Sequence, residues 1–283
     1  MLIFVEKVNG IATRYNWFRQ KSNIPPRTDV AMPRTMLTDK RWLKLKELML
    51  NSGRVYNKFD HRMTLEGILY RMRTGIPWRD LPPHFGLWST VFRRFNLWSK
   101  KGILNTIFKH LALITDSEWL FIDGSIVRAH QHSSGAKSDK DESIGKSRGG
   151  FSTKIHLAVD SYGYPVHFEL TGGQRNDFVM AESLIKHSPK SDYVIADKGY
   201  DSQSIRDYVT EHGSEPLIPR RKDNTKKNND MDWDLYKYRH LVENAFARIK
   251  HFRAVSTRYD KLERNYASMV SLAFAIMWLS MHT

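Results

Sequence analysis

Trp119-Leu120-Phe121-Ile122, followed by Asp123-Gly124-Ser125, is the stretch on which the architecture turns. Four apolar residues in a row, mostly aromatic or β-branched, suit a central strand buried on both faces, and that strand delivers Asp123. The pattern recurs at Tyr193-Val194-Ile195-Ala196, which delivers Asp197. Each Asp taken singly has an ordinary reading, because Asp caps the turn or helix that follows a strand. Between the two runs lie a polar, Gly- and Ser-rich loop over residues 130–150 and strands over 153–160 and 165–171. Ser161-Tyr162-Gly163-Tyr164 joins those strands as a hairpin. A helix over 178–187 precedes the second apolar run. Further on, the pattern predicts a helix over 202–212, a short strand over 216–218, a basic loop over 220–230 and two closing helices. A three-strand meander followed by alternating helices and strands predicts an α/β fold, a mixed sheet flanked by helices, over residues 117–283.

Upstream of this region the chain changes character. Residues 1–117 carry 21 basic and 8 acidic side chains, a net of +13, out of +15 for the whole chain. Such an excess calls for a polyanionic partner, nucleic acid before a membrane surface. Residues 37–116 predict four short helices. Thr38 and Asp39 offer caps for the first, and Gly75-Ile76-Pro77 ends the second. The third, over 89–100, turns Val91, Phe92, Phe95 and Trp98 to one side and Arg93, Arg94 and Lys100 to the other. This is the layout of a small all-α, helix-turn-helix-type DNA-binding domain, with Arg93 and Arg94 as DNA contacts. A plain helical bundle with solvated cations is the alternative. Residues 1–36 show no steady period and are expected to form a poorly ordered extension, with Met32 or Met36 as a candidate functional start.

The absence of Cys excludes disulfides and thiolate metal sites and fits a reducing cytoplasm. No membrane-spanning segment is expected: the most apolar stretch, residues 267–281, falls short of about 20 residues and contains three Ser.

Tyr236, Arg239, Glu243 and Lys250 lie on the first of the two closing helices. At about 100° per residue they fall within roughly 60° of one another. Leu235, Leu241, Val242, Ala245, Phe246 and Ile249 take the opposite arc. One acid among cations suits the joint handling of a metal and a phosphate, since the acid binds the cation and the bases the anion. A solvated face with ordinary ion pairs is the alternative.

Together with Asp123 and Asp197, Glu243 completes a set of three acids. Adjacent strands would bring the two Asp to one end of the sheet, and a helix packed across it could add Glu243. Three convergent carboxylates repel unless a cation binds, and oxygen-only ligation suits Mg²⁺ or Mn²⁺. Two such ions can clamp an in-line phosphoryl displacement, one activating a water or 3′-hydroxyl and the other stabilising the leaving oxygen.

With these residues in view, the chain resembles bacterial insertion-sequence transposases that carry an Asp-Asp-Glu triad on a ribonuclease H-like core, and among them the insertion-sequence family numbered five. The resemblance rests on the Tyr236/Arg239/Glu243/Lys250 spacing, Phe121-Ile122-Asp123-Gly124-Ser125 and Ala196-Asp197-Lys198-Gly199-Tyr200-Asp201. Further matches are residues 73–82, Ser147-Arg148-Gly149-Gly150 and Thr153-Lys154-Ile155-His156. It spans roughly residues 37–280. The resemblance implies that Asp123, Asp197 and Glu243 are metal-binding catalytic residues and that Mg²⁺, or Mn²⁺, is the cofactor. It also implies terminal inverted repeats and target double-stranded DNA as partners, a homodimer on paired ends, and action at the bacterial nucleoid. Tyr236, Arg239 and Lys250 are assigned to DNA phosphate or the cleaved DNA end. A metal-dependent nuclease without strand transfer and a decayed DNA-binding protein are the competing functions. The loop over 220–230 is too short for an inserted β-domain before Glu243, so an uninterrupted core is expected.

Two further motifs carry less. His130-x-His132 fits surface histidines better than a zinc pair. Gly172-Gly173-Gln174-Arg175-Asn176-Asp177 lacks the context of a phosphate-cradling loop. There Asn176 and Asp177 either approach the metal site or cap the next helix, and capping is the expected role.

Overall fold

The computed structural model describes residues 33–281 except positions 54, 59, 134–141, 223, 225 and 226. The expected extension therefore lies outside the described residues up to position 32. Its last member, Met36, donates its backbone N–H to the buried carboxylate of Glu66 at 2.7 Å, and Leu37 does the same at 2.9 Å.

Four helices open the described chain: α1 (Asp39–Asn51), α2 (His61–Thr74), α3 (Trp88–Lys100) and α4 (Ile103–Leu111). Thr38 caps α1 through its side chain, as its sequence position suggested. Gly75 ends α2 with φ of 71°, and a Cβ there would also stand 2.9 Å from the Cβ of Arg253, so glycine is required twice over.

The sheet follows. Strand β1 (Trp119–Ala129) pairs antiparallel with β3 (Gly150–Val159), which pairs antiparallel with β4 (Pro165–Gly172). On its other side β1 pairs parallel with β5 (Tyr193–Ile195), which pairs parallel with β6 (Glu215–Leu217). The order β4-β3-β1-β5-β6, with antiparallel pairing on one side of β1 and parallel pairing on the other, makes this a ribonuclease H-like mixed sheet. A short β2 (Gly145–Ser147) pairs with the first residues of β3, and β7 (Thr257–Arg258) pairs with the end of β1.

Each face of the sheet is covered. Leu120, Ile122, Ala158, Val194 and Ala196 pack beneath α5 (Phe178–Lys186) and α6 (Gln203–Glu211). Phe121, Val127, Ile155, Leu157, Val159 and Ile195 face α8 (His240–Lys250), the short α9 (Arg253–Ser256) and α10 (Glu263–Met281). The four opening helices share this second core: Phe108 of α4 lies 5.4 Å from Phe274 of α10 and 5.8 Å from Phe168 of β4, ring centre to ring centre. Helix α10 is apolar nearly all round because it is buried nearly all round. Among the described residues no helix is long and apolar enough to cross a membrane.

Two expectations change at element level. The strand bearing Asp123 does not stop there but runs on to Ala129, because β3 continues to pair with it as far as Arg128. The segment expected as one helix from Tyr236 to Lys250 is broken. A helical turn α7 (Trp233–Tyr236) passes through a 3₁₀ turn, Lys237–Arg239, into α8, and Tyr238 of that turn packs 5.5 Å from Trp119.

Candidate active site

The site forms where β5 ends and β1 continues. Phe121 pairs with Ile195; Asp123 stands two residues on within β1, and Asp197 two residues past the end of β5, in extended backbone. Period-two alternation turns the Asp123 carboxylate to the face covered by α8, and Asp197 acts on both Asp123 and Tyr236. Beyond Phe121, β1 has no strand partner on that side among the described residues until Arg128 meets β7, so residues 122–127 present an open edge.

Arg239 is the hinge of the cluster. Its Nη1 lies 3.6 Å from Asp123 Oδ2, while its Nη2 donates to Glu243 Oε1 one helical turn on. The structure thus brings Asp123 and Glu243 to one guanidinium. Burial pushes the Asp123 carboxyl up to about 6; Asp197 and Asp177 add to this, while the Gly124 N–H (2.7 Å) and Arg239 oppose it. Asp197 accepts from Gly199 N–H at 2.7 Å, capping a 3₁₀ turn. Asp197 thus caps this turn, and its charge also reaches Asp123. Burial raises the Tyr236 phenol, against Arg239 and with Asp197, which places the phenol among the same groups. Lys250 Nζ donates to Ser125 Oγ at 2.7 Å on the open edge.

The other expected DNA contacts lie apart. Arg93 is exposed and donates to Ser89 O at 3.3 Å within its own helix. Arg94 is largely buried and bridges Thr64 Oγ1 and Asp60 Oδ2, both at 2.7 Å, which ties α3 to the start of α2.

Asp177 overturns the capping expectation. Its side chain makes no cap hydrogen bond. It lies over Gly124 instead, so close that a Cβ on that glycine would fall 1.9 Å from Asp177 Oδ1. Lys154 Nζ holds it at 3.1 Å, and His156 Nδ1 stands 3.4 Å away, too long for a well-formed hydrogen bond. Burial alone would raise the Asp177 carboxyl, but His156 and Lys154 bring it below the usual range. Lys154 and His156 sit two apart on β3, facing Ile126 and Gly124 of β1. That alternation was visible in Thr153-Lys154-Ile155-His156, but nothing in the string named the partner. Tyr200, 1% exposed, has a hydroxyl without a hydrogen-bond partner among the described residues. Burial first, then Asp177, Asp123 and Asp197, raise it well above the ordinary phenol range.

Asp123, Asp197 and Glu243 offer hard oxygen donors of the kind Mg²⁺ or Mn²⁺ take. The guanidinium between Asp123 and Glu243 is a stand-in cation. Such a donor set fits a divalent ion. The tightest group of potential ligands among the described residues is elsewhere: His167, Glu169 and His187, with ligand atoms within 4.8 Å, at the outer strand β4. There Glu169 Oε1 accepts from Ser183 Oγ at 2.5 Å and lies 3.2 Å from His167 Nε2. His130 stacks on Tyr259 at 4.5 Å, beside His132.

An uncharacterized protein of Sinorhizobium fredii is 37% identical over 106 residues, 37% of this chain and 85% of the relative. A putative transposase for insertion sequence element IS6501 of Brucella ovis is 31% identical over 127 residues, 45% of this chain and 98% of the relative. Among solved structures, a piggyBac transposase synaptic complex with hairpin DNA aligns at 11% identity and a TM-score of 0.46. That alignment covers 91% of this chain and 69% of the other. Residues 37–108 match the model described as a putative transposase of the IS4/5 family. The transposase DDE domain model matches residues 115–278, more than half of the chain and the whole of the sheet and its acids, and the chain belongs to that family of DDE transposases.

Proposed function

We propose that this chain is the transposase of an insertion sequence. In this reading it binds the element's terminal inverted repeats, as at least a dimer, and catalyses metal-dependent strand cleavage and strand transfer. The observation that carries the reading is the convergence at the open edge of β1: Asp197 near enough to Asp123 to raise its carboxyl, and Arg239 linking Asp123 to Glu243. Asp123, Asp197 and Glu243 would hold Mg²⁺ or Mn²⁺. When bound, such ions supply the charge that activates an attacking water or 3′-hydroxyl and stabilises the leaving oxygen of an in-line displacement. The chain's own residues do the rest. Arg239 and Lys250 offer donors for phosphate oxygens on either side of the acids, and Tyr236 adds a phenol. The open edge leaves room for a DNA strand beside Asp123, where a paired strand would block it. The basic helices α1–α4 are assigned to binding the DNA ends, with exposed Arg93 the contact there.

A strand-transfer assay with duplex bearing the inverted repeats that flank the reading frame tests this. Wild-type protein with Mg²⁺ should yield joined products, and Asp123→Ala and Glu243→Ala should lower the yield by about a hundredfold or more while still retarding the DNA. Normal joining by either variant would sink the catalytic assignment. Cleavage without joining would favour a nuclease, and binding alone a decayed enzyme.

A further inference from the structure

A second charged feature lies on the other face of β1. A cavity of about 510 Å³ is bounded by Ile126, the β2–β3 turn with Lys146 and Arg148, Lys154, and the turn carrying Arg175 and Asn176. Four of its described lining residues are cationic and none is acidic. Lys154 is committed to Asp177 at 3.1 Å, whereas Lys146, Arg148 and Arg175 have no side-chain partner among the described residues and are exposed. Cations that share one wall without counter-charge repel one another and raise the local anion concentration. The walls are also built for close approach. Gly149 and Gly173 line the cavity, and the Gln174 side chain lies against Gly145 in strand β2, where it would have to move to admit a Cβ. Ile126, 49% exposed, offers an apolar surface beside the cations.

The cavity is joined to the acids by a short chain of contacts. Lys154 holds Asp177, Asp177 covers Gly124, and Gly124 follows Asp123. Ile126 is three residues beyond Asp123 on the same strand, about 10 Å at 3.3 Å per residue. Between them runs the open edge of β1, with Lys250 on Ser125 at one face and Lys154 opposite Ile126 at the other. A DNA strand that crosses this edge at Asp123 meets cations on both sides.

We infer that this cavity, built by Lys146, Arg148 and Arg175, holds a backbone phosphate of the DNA end within about three nucleotides of the bond that is cut. The nucleotide count follows from a rise of about 3.4 Å per nucleotide on one strand. The inference rests on the transposase reading for its ligand. Arg148 and Arg175 bind the phosphate oxygens, Lys146 adds charge, and Ile126 lies under the sugar or base. Sequence specificity is not expected from these contacts, because a phosphate carries no base information.

The test uses the full chain and its triple variant Lys146→Ala/Arg148→Ala/Arg175→Ala, all three being surface positions whose truncation leaves the core intact. Affinity for the inverted-repeat duplex is measured over a range of salt. A series of duplexes then carries one neutral methylphosphonate at successive positions from the cut. The slope of log K against log salt should fall by about two to three in the variant, close to one for each cation removed. A methylphosphonate within about three nucleotides of the cut should weaken wild-type binding several-fold and leave variant binding unchanged, a coupling that a double-mutant cycle isolates. Equal slopes, or methylphosphonate effects that are the same in both proteins at every position, would overturn the inference even if wild-type joins DNA normally. Wild-type that shows the coupling but never cleaves or joins would leave the phosphate site standing and remove the transposase reading. Wild-type that binds no DNA would remove both.

Discussion

Asp123 illustrates how a residue proposed for catalysis can oppose folding. Burial and the neighbouring acids push its carboxyl up to about 6, above the 3.8 of an ordinary Asp. The folded state therefore binds this proton more tightly than the unfolded state. Ionised Asp123 costs stability, fully so above about pH 6, and the cost fades as pH falls through about 6 toward 3.8. With chelator present, Asp123→Asn should be more stable than wild type at about pH 8 by up to about 3 kcal/mol, at about 1.4 kcal/mol per pKa unit. The gain should shrink by about pH 5, and urea unfolding at the two pH values checks it. A gain of equal size at both would show that charge is not its cause. Millimolar Mg²⁺ should raise the melting temperature of wild type and leave Asp123→Asn unmoved, since only an ion bound by the folded state stabilises it.

At the scale of elements, β7 is the smallest strand and carries one of the most connected side chains. Arg258, fully buried, donates to Asp260 O at 3.0 Å, Ser143 O at 3.1 Å and Thr153 Oγ1 at 2.8 Å, and lies 5.1 Å over the Tyr266 ring. It knits the segment before β2, strand β3 and the start of α10 around the far end of β1. Arg258→Met fills the volume but orphans several buried acceptors, so it should cost about 3 kcal/mol or more. Arg258→Lys, which keeps a charge and a donor, should lose less. Denaturant midpoints of the two variants give the order, and an equal loss would mean that shape rather than hydrogen bonding is what the site needs.

For the whole molecule, the consequential fact is that the opening helices and the sheet share one apolar core. Arg71 of α2 pairs with Asp260 at 3.3 Å with both side chains 6% exposed, and Phe108 packs between Phe168 and Phe274. A chain beginning at residue 117 would expose the α10 side facing α4 and leave Asp260 without its partner. Such a fragment should fail to give a cooperative melt or a native near-ultraviolet spectrum. An independently folded fragment would show that the shared core is dispensable.

Much of this was legible in the chain, for identifiable reasons. The two apolar runs before Asp123 and Asp197 were readable because a strand buried on both faces has no polar residue to hide, and parallel pairing then brings the two Asp near each other. The helix bearing Glu243 was readable from its apolar arc. Packing between distant segments accounts for the differences. Strand β1 overran its apolar run because β3 pairs with it through polar positions, and a hydrogen-bonded ladder does not require apolar side chains. The helix before Glu243 broke because Tyr238 packs on Trp119, far away in the chain. Asp177 left its helix for Lys154 and His156, partners that only the pairing of β3 with β1 brings within its reach. The elements and the three acids were thus set by the order of residues alone, because periodicity and residue chemistry act locally. Folding in three dimensions was needed to join two of the acids through Arg239, to stand Asp177 over Gly124, and to gather Lys146, Arg148 and Arg175 around one cavity beside them. Charge partners are chosen by distance in space, and the chain's numbering carries no record of it.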